Sequence, residues 1–210
     1  MRSIPDHQLD EIKKFYYIDK LSMREIAEKL SISIDAIVYF MRKHHLKRRD
    51  FSEINRLRFE NKVPSFKIRP INSVYLKELK AIGAMLYWGE GYKSEKGSIV
   101  DFANSDPKMI LIFLNFLRNI YGLNEKRLRV LLYCYADQNV NKLIRYWSKL
   151  TKIPQNQFSK PYTRKDFDIS NKRKMEYGLI HIRYSDKKLL LEIKKTIDYY
   201  KNKYVGKVTY

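Results

Sequence analysis

The sequence has very little cysteine and no long hydrophobic run, and both shortages exclude whole classes of protein. Cys134 is the only cysteine among 210 residues, so the chain forms neither an internal disulfide nor a zinc site built on cysteines. No apolar stretch approaches the roughly 20 residues that span a bilayer, and no signal peptide is visible. The histidines, His7, His44, His45 and His181, lack the spacing of metal ligands. We therefore expect a cytoplasmic protein.

Acidic residues are scarce relative to basic ones. The chain has 43 Lys and Arg against 23 Asp and Glu, which gives a formal net charge of +20. A field of this sign attracts polyanions, so nucleic acid is the expected partner and a membrane surface is the weaker competitor. A lysine-rich genome produces the same excess, so the charge alone does not decide the partner.

Motifs of the common enzyme classes are also missing. The sequence has no Gly-rich phosphate loop, no recognisable Ser-His-Asp or Cys-His set and no kinase signature.

The length of the chain accommodates a small domain followed by a medium one. We divide the chain into a helical DNA-binding domain over residues 1–50, a basic linker over 51–75 and a second domain over 76–210.

The first 50 residues have the pattern of a compact helical domain. Apolar residues recur at helical spacing over residues 9–16. Ser22 and Glu25 are spaced as a capping box at the start of a second helix, in which each side chain bonds the free backbone N–H of the other residue. Ser33 is the expected N-cap of a third helix.

The string LSMREIAEKLSISIDAIVYFMRKHHL resembles the helix-turn-helix of many bacterial and archaeal regulators and recombinases. Ala27 matches the small residue of that pattern, and Ile32 and Ile37 match its buried positions. The third helix of that fold enters the major groove with its early residues facing the bases. The resemblance assigns this role to Ile34, Asp35, Val38, Tyr39 and Arg42. These residues differ from the usual Arg, Ser, Thr and Gln, so contact with another protein stays an alternative.

Basic residues elsewhere give further candidate DNA contacts. They are the basic run Lys43, Lys47, Arg48 and Arg49 around the end of the third helix, and Arg164 and Arg183 in two predicted strands beside aromatic residues. The first group suits phosphate contacts, although a solvated linker face explains it equally well. Cross-strand packing is an equally good explanation for the aromatic residues of the second group.

Helices and strands alternate in the second domain. The predicted elements are a helix at 79–92, a hairpin around Lys96 and Gly97, a helix from Pro107 to Gly122, a strand at 128–135, a helix at 140–150, an edge strand at 158–165, a strand at 179–184 and a helix at 186–200. Asp106 and Asp186 each follow a strand and a serine, and both are expected to cap a helix.

The helix over residues 79–92 ends in a carboxylate between two glycines, Gly89-Glu90-Gly91. A glycine within a helix costs about 1 kcal/mol relative to alanine, so Gly83 indicates close approach of another backbone. We expect Gly91 to end the helix in the left-handed conformation. Glu90 then lies in the last turn, where the negative end of the helix dipole disfavours a carboxylate. A cation bound to Glu90 would make the charge at this position favourable. The simpler interpretation is a solvated acid before a glycine cap.

This segment resembles the motif helix of the LAGLIDADG homing endonucleases. Gly91 matches the final glycine of that motif, Glu90 matches the acid before it, and Gly89 matches the small seventh residue. Tyr87 takes the fifth place, whereas Met85 stands where the family has a small residue. The order of strands and helices that follows also fits the domain plan of that family.

The resemblance implies an α+β protein, with an N-terminal all-α helix-turn-helix domain followed by a LAGLIDADG-type α/β-sheet saddle domain. It implies a homodimer, since one motif is present, with the motif helices in contact at Gly83, Tyr87, Gly89 and Gly91. Glu90 of each subunit would bind Mg²⁺ and act in site-specific cleavage of double-stranded DNA. The alternative is a non-catalytic DNA-binding transcriptional regulator on the same scaffold.

Overall fold

The computed structural model describes residues 4–92, 94, 97–164 and 175–206. The protein is α+β, with N-terminal helices followed by a four-stranded mixed sheet with interleaved helices. The chain divides between Val63 and Pro64 into two units. This division lies within the linker predicted over 51–75. The predicted turn residue Lys96 and the end of the predicted edge strand, Lys165, lie outside the described residues.

The N-terminal unit is built on three helices that share one core. Its elements are a 3-10 turn at Asp6–Gln8, α1 at Leu9–Lys13 with a π-helical continuation at Lys14–Ile18, α2 at Met23–Lys29, α3 at Ile34–Lys43 and α4 at Phe51–Asn61. Ile12, Ile26 and Ile37 of the first three helices are fully buried together. Helix α4 buries none of its residues, so the core of this unit depends on α1 to α3.

Both helix starts predicted for this unit are confirmed. The Glu25 N–H donates to the Ser22 hydroxyl at 3.2 Å, and the Ser22 N–H donates to the Glu25 carboxylate at 2.7 Å. The Ala36 N–H likewise donates to the Ser33 hydroxyl. Such caps satisfy N–H groups that have no partner within the helix, so short helices begin at defined residues.

The second unit follows the predicted order of elements closely. They are α5 at Val74–Glu90, β1 at Val100–Asn104, α6 at Pro107–Tyr121, β2 at Leu128–Tyr135, α7 at Val140–Thr151, β3 at Tyr162–Arg164, β4 at Leu179–Tyr184 and α8 at Lys187–Val205, with 3-10 turns at Glu125–Arg127 and Gln155–Gln157. Asp106 and Asp186 cap α6 and α8 as predicted. Gly122 ends α6 in the left-handed conformation, with φ of 47°.

The sheet has the strand order β1-β4-β2-β3. The β1–β4 and β4–β2 pairs are antiparallel, and β3 pairs in parallel with β2 at one edge. At the other edge, Gly91 forms an antiparallel bridge with Phe102, and the Tyr92 N–H donates to the Asp101 carbonyl at 2.9 Å. Tyr92, which begins the first arm of the predicted hairpin, therefore pairs with β1, which corresponds to the second arm.

The segment just after the division is attached to the second unit at the start of α8. The Asp186 carboxylate accepts hydrogen bonds from the Ser65 N–H at 2.9 Å and from the Ser65 hydroxyl at 2.6 Å. Burial raises the pKa of Asp186, but the hydrogen bonds from Ser65, Leu189 and Lys188 outweigh this effect and lower the pKa. Part of the predicted linker is therefore a fixed part of the second unit.

The structure corrects the role expected of Gly91. Its φ of −76° and ψ of 153° are extended, so it does not end α5 in the left-handed conformation. A Cβ at this position would lie 2.4 Å from the Tyr87 carbonyl oxygen and 2.5 Å from the Tyr87 ring. Glycine is required here by the close approach of Tyr87, which is itself buried.

The structure also corrects the role of Gly83 as a contact between subunits. A Cβ on Gly83 would lie 2.1 Å from Cγ of Phe116, so the residue packs on α6 of its own chain. Tyr87 is likewise buried within the chain, and its ring stacks on Phe113 with centroids 5.8 Å apart. Gly89 differs from both, because a Cβ there would meet nothing within 4 Å.

We expect Gly83→Ala and Gly89→Ala to have opposite effects on stability. At Gly83 the new methyl group overlaps Phe116, and overpacking of this kind lowers the free energy of unfolding by about 1–3 kcal/mol. At Gly89 the methyl group has room within one chain, and the better helix propensity of alanine raises the stability of the monomer by up to about 1 kcal/mol. Urea denaturation followed by circular dichroism measures both. Equal effects would contradict the packing of Gly83 on Phe116.

Candidate nucleic-acid interface

The two faces of the sheet differ in character. Val130, Leu132, Ile180 and Ile182 are fully buried in the core that the strands share with helices α5 to α8. Side chains alternate along a strand, so the residues between them lie on the opposite face. We call this the outer sheet face. Its members are Asp101, Ala103, Arg129, Leu131, Tyr133, Tyr135, Tyr162, Arg164, Leu179, His181 and Arg183.

One end of the outer sheet face holds a buried carboxylate between two basic side chains. Arg183 Nε donates to Asp101 Oδ2 at 2.7 Å, and His181 Nδ1 lies 2.8 Å from Asp101 Oδ1. The Asp101 side chain is only 9% exposed. Burial raises the pKa of Asp101, but the hydrogen bonds and charges of His181 and Arg183 outweigh burial and lower it. The register places Arg129 on the other side of Arg183.

Aromatic rings occupy the middle of the outer sheet face. The Tyr133 ring lies between those of Tyr162 and His181, with centroids 5.0 Å from each. Beyond Tyr133, Tyr135 stands opposite Arg164 on the edge strand β3. This face therefore has basic side chains at both ends and flat rings between them.

Glu90 is the exposed last residue of α5. Because Gly91 pairs with Phe102, the carboxylate stands at the β1 edge of the sheet. Within residues 4–92, 94, 97–164 and 175–206, no group of three or more His, Cys, Asp or Glu side chains is placed to hold a metal ion. Mg²⁺ takes a few carboxylates together with phosphate and water. Among the described residues, Glu90 therefore has no three-ligand protein cage at this edge, and an ion there would need further oxygen ligands.

Helix α5 also has an apolar stripe at the margin of the core, which we call the second apolar stripe; its residues Met85 and Leu86 pack partly against the core. Ile82 is 49% exposed, Met85 and Leu86 are half-buried, and Gly89 has open space beside it. These residues are spaced i, i+3, i+4 and i+7, so they lie on one side of the helix. The stripe runs towards Glu90.

The candidate groove-reading residues of α3 lie at its surface. Ile34 is 43% exposed and Tyr39 is 68% exposed. Asp35 and Arg42 are also exposed, and Val38 is half-buried. The residues that alternate with them, such as Ile37, form the core. The structure therefore brings the predicted residues together on the outside of the N-terminal unit.

The basic residues around the end of α3 divide into separate groups. Lys43 Nζ bonds Asp6 Oδ1 at 2.7 Å, and this hydrogen bond lowers the pKa of Asp6. His44 also contacts Asp6, at 3.0 Å. Lys43 is therefore already paired with a carboxylate, whereas Lys47 and Arg48 have exposed side chains. The latter two are the better placed for phosphate contacts.

Arg49 does not have the predicted role, because its side chain is turned inward. That side chain is only 6% exposed, and its guanidinium donates to the carbonyl oxygens of Tyr16 and Leu21. The guanidinium carbon also lies 4.0 Å from the centroid of the Tyr16 ring. Arg49 ties the segment between α3 and α4 to the end of the first helix and the loop that follows it, so we remove it from the DNA-contact set.

Sequence reasoning missed Asp101, Arg129 and Tyr133 as members of the candidate interface. Asp101 carried a signal, since it interrupts the otherwise apolar start of strand β1. The role of Asp101 depends on the pairing of β1 with β4, which brings it next to His181, 80 positions later in the chain. Arg183 and Arg164, in contrast, lie in strands as predicted, and the pairing of these strands places both on the outer sheet face.

Comparison with known proteins gives no family assignment. A scan of protein families, a search of curated proteins and a search of solved structures each return no match to the chain. In the described part of the chain, every helix is too short or too polar to cross a membrane.

Proposed function

We propose that the chain is a DNA-binding protein of the LAGLIDADG homing-endonuclease type, which cleaves specific sites in double-stranded DNA as a homodimer with Mg²⁺. The observation that carries the proposal is the outer sheet face, with arginines at both ends and Glu90 at its edge. The net charge of +20 supports a polyanionic partner.

Strands suit a DNA groove for a geometric reason. The major groove admits a two-stranded ribbon, whose side chains then meet both phosphates and base edges. On the outer sheet face, Arg164 and Arg129 stand at opposite ends and suit the two flanking phosphate backbones. The rings of Tyr133 and Tyr162 lie between them. In this proposal α3 of the helix-turn-helix unit contacts DNA through its own exposed face.

The second apolar stripe of α5 supports a homodimer. A second copy is the proposed occupant, because symmetric packing of Ile82, Met85, Leu86 and Gly89 would bury the stripe on both chains. Gly89 has no side chain and open space beside it, so the two helices could approach each other closely there. Glu90 is the next residue, and a symmetric contact at Gly89 would bring both carboxylates together. This assigns the dimer contact to Gly89 rather than to Gly83.

A pair of Glu90 side chains fits the ligand requirement of Mg²⁺. Two carboxylates, with DNA phosphate and water, would complete the set that one chain lacks. A bound Mg²⁺ would supply an activated water and stabilise the leaving oxygen of a phosphodiester. Glu90 itself would hold the ion at the β1 edge of the sheet, whose opposite edge is β3 with Arg164.

We expect Ile82→Arg to convert the dimer into monomers. In the symmetric contact the two new arginines would face each other without a carboxylate, and such like-charge contacts cost several kcal/mol. The dissociation constant should therefore rise by about two orders of magnitude or more. Sedimentation equilibrium measures this change. Leu191→Arg is the matched control, because Leu191 is 44% exposed on a different helix, α8. A wild-type chain that stays monomeric on DNA would contradict the homodimer.

The second candidate is a non-catalytic transcriptional regulator on the same scaffold. Met85 favours it, since this long side chain lies in the stripe where the resembled family has a small residue, and it would keep the helices apart. Incubation of a randomised duplex library with the protein and Mg²⁺, followed by sequencing of cut and bound molecules, separates the two functions. Cut molecules support the nuclease. Bound but uncut molecules support the regulator. If no molecule is cut or bound, the result would favour the alternative in which α3 contacts another protein.

A further inference from the structure

We propose that Arg183 reads a guanine in the bound DNA and that Asp101 is its positioning residue. The proposal rests on the DNA-binding function above and adds the base that one side chain of the outer sheet face selects. It starts from the hydrogen bond of 2.7 Å between Arg183 Nε and the buried carboxylate of Asp101.

The contact fixes the orientation of the guanidinium. Arginine has five N–H donors in a rigid planar fork. Because Asp101 accepts from Nε, the terminal Nη1 and Nη2 groups are the donors that a ligand on the outer sheet face would meet. The Arg183 side chain is 34% exposed, so it is partly held by the sheet and partly open to such a ligand. The chain therefore fixes one part of this flexible side chain before DNA arrives, which lowers the entropy cost of binding.

Two parallel N–H donors in one plane match guanine better than any other base. Guanine presents O6 and N7 as adjacent acceptors in the major groove, and bidentate arginine binding to this pair is the commonest specific contact. Adenine offers N7 beside an N–H₂ donor, which faces an arginine donor unfavourably. Strand β4 carries Arg183 in the interior of the sheet order, between β1 and β2. Arg129 is its register partner at the same end of the face, so the choice between base and phosphate depends on which donors each arginine has left.

His181 completes the support of the carboxylate. A carboxylate only accepts, so His181 Nδ1 donates to Asp101 Oδ1 over 2.8 Å. Asp101 is therefore held from both sides and cannot turn away from Arg183 without losing a hydrogen bond. Arg129 provides a contrast, because its Nη1 donates to the carbonyl oxygens of Lys126 and Leu128. One of its terminal donors is therefore already engaged, and it suits a phosphate better than a base.

Selection of bound molecules from a randomised duplex library by the full chain, at fixed salt, tests the proposal. We expect the selected sites to share a G·C pair, in symmetric positions if the protein is a dimer. Replacement of that pair by A·T in a synthetic duplex should weaken binding by the wild type about 5- to 150-fold. Arg183→Lys should lose this discrimination, because lysine presents a point charge without a planar fork.

The variants distinguish a base contact from general attraction. Asp101→Asn should also lose discrimination, since a neutral amide holds the arginine less firmly, and circular dichroism shows whether that variant is folded. Arg129→Lys is the matched control and should keep the preference for G·C. Selected sites without a common G·C pair, or equal discrimination by Arg183→Lys and the wild type, would overturn this inference while DNA binding stands. Failure to bind any duplex would overturn the proposed function as well.

Discussion

Raising the salt concentration from about 50 to 200 mM should weaken the binding of the chain to duplex DNA by roughly three to five orders of magnitude. Each lysine or arginine that neutralises a phosphate releases a condensed counterion, and six to ten such contacts give about this loss. The chain has 43 Lys and Arg residues, so this number of contacts is readily supplied. Fluorescence anisotropy with a labelled duplex at several salt concentrations measures the slope. An affinity that does not change with salt would exclude nucleic acid as the partner.

Neighbouring arginines provide an internal control for the salt dependence. Arg48 is exposed, so Arg48→Gln should reduce the slope by about one if it contacts a phosphate. Arg49 is turned inward onto Tyr16, so Arg49→Gln should leave the slope unchanged and lower the stability of the N-terminal unit instead. If both variants change the slope equally, the inward position of Arg49 in the free protein does not persist in the complex.

Local structure was predictable wherever the determining contacts lie close together in the chain. The capping box of Ser22 and Glu25 joins residues three apart, and its hydrogen bonds are local, so the sequence alone indicates where the helix begins. Strand β2 was predicted at its observed bounds, because Leu, Val and Tyr dominate it and a turn follows it. Asp106 and Asp186 were recognised as caps for the same local reason. Together these signals indicated the α+β class and the order of its elements.

Contacts between distant residues were not predictable in the same way. The small size of Gly83 indicated a close neighbour, but only the packing of α5 on α6 shows that the neighbour is Phe116. Arg49 belongs to a basic run that looks solvated, although its partner Tyr16 lies 33 residues earlier. Asp101 meets Arg183 only through the register of β1 with β4. Each depends on tertiary packing, which propensity and periodicity do not contain.

Replacement of Glu90 by glutamine should abolish DNA cleavage while leaving DNA affinity unchanged or improved. The variant keeps the size of the side chain but removes the charge that would bind Mg²⁺. A metal ion contributes several kcal/mol of transition-state stabilisation, so the cleavage rate should fall about a thousand-fold or more. Affinity should not fall, because a negative charge near the DNA phosphates has been removed. Cleavage of a selected duplex and anisotropy on the same duplex measure the two quantities.

A second acid on the same helix makes the test specific to Glu90. Glu78 is exposed on α5, three turns before Glu90, so Glu78→Gln removes the same charge at a distance from the sheet edge. We expect it to leave cleavage unchanged. Cleavage that persists in Glu90→Gln would show that Glu90 is not the metal ligand. A wild type that binds the selected duplex with Mg²⁺ present and never cuts it would favour the regulator. Glu90 would then have no catalytic role.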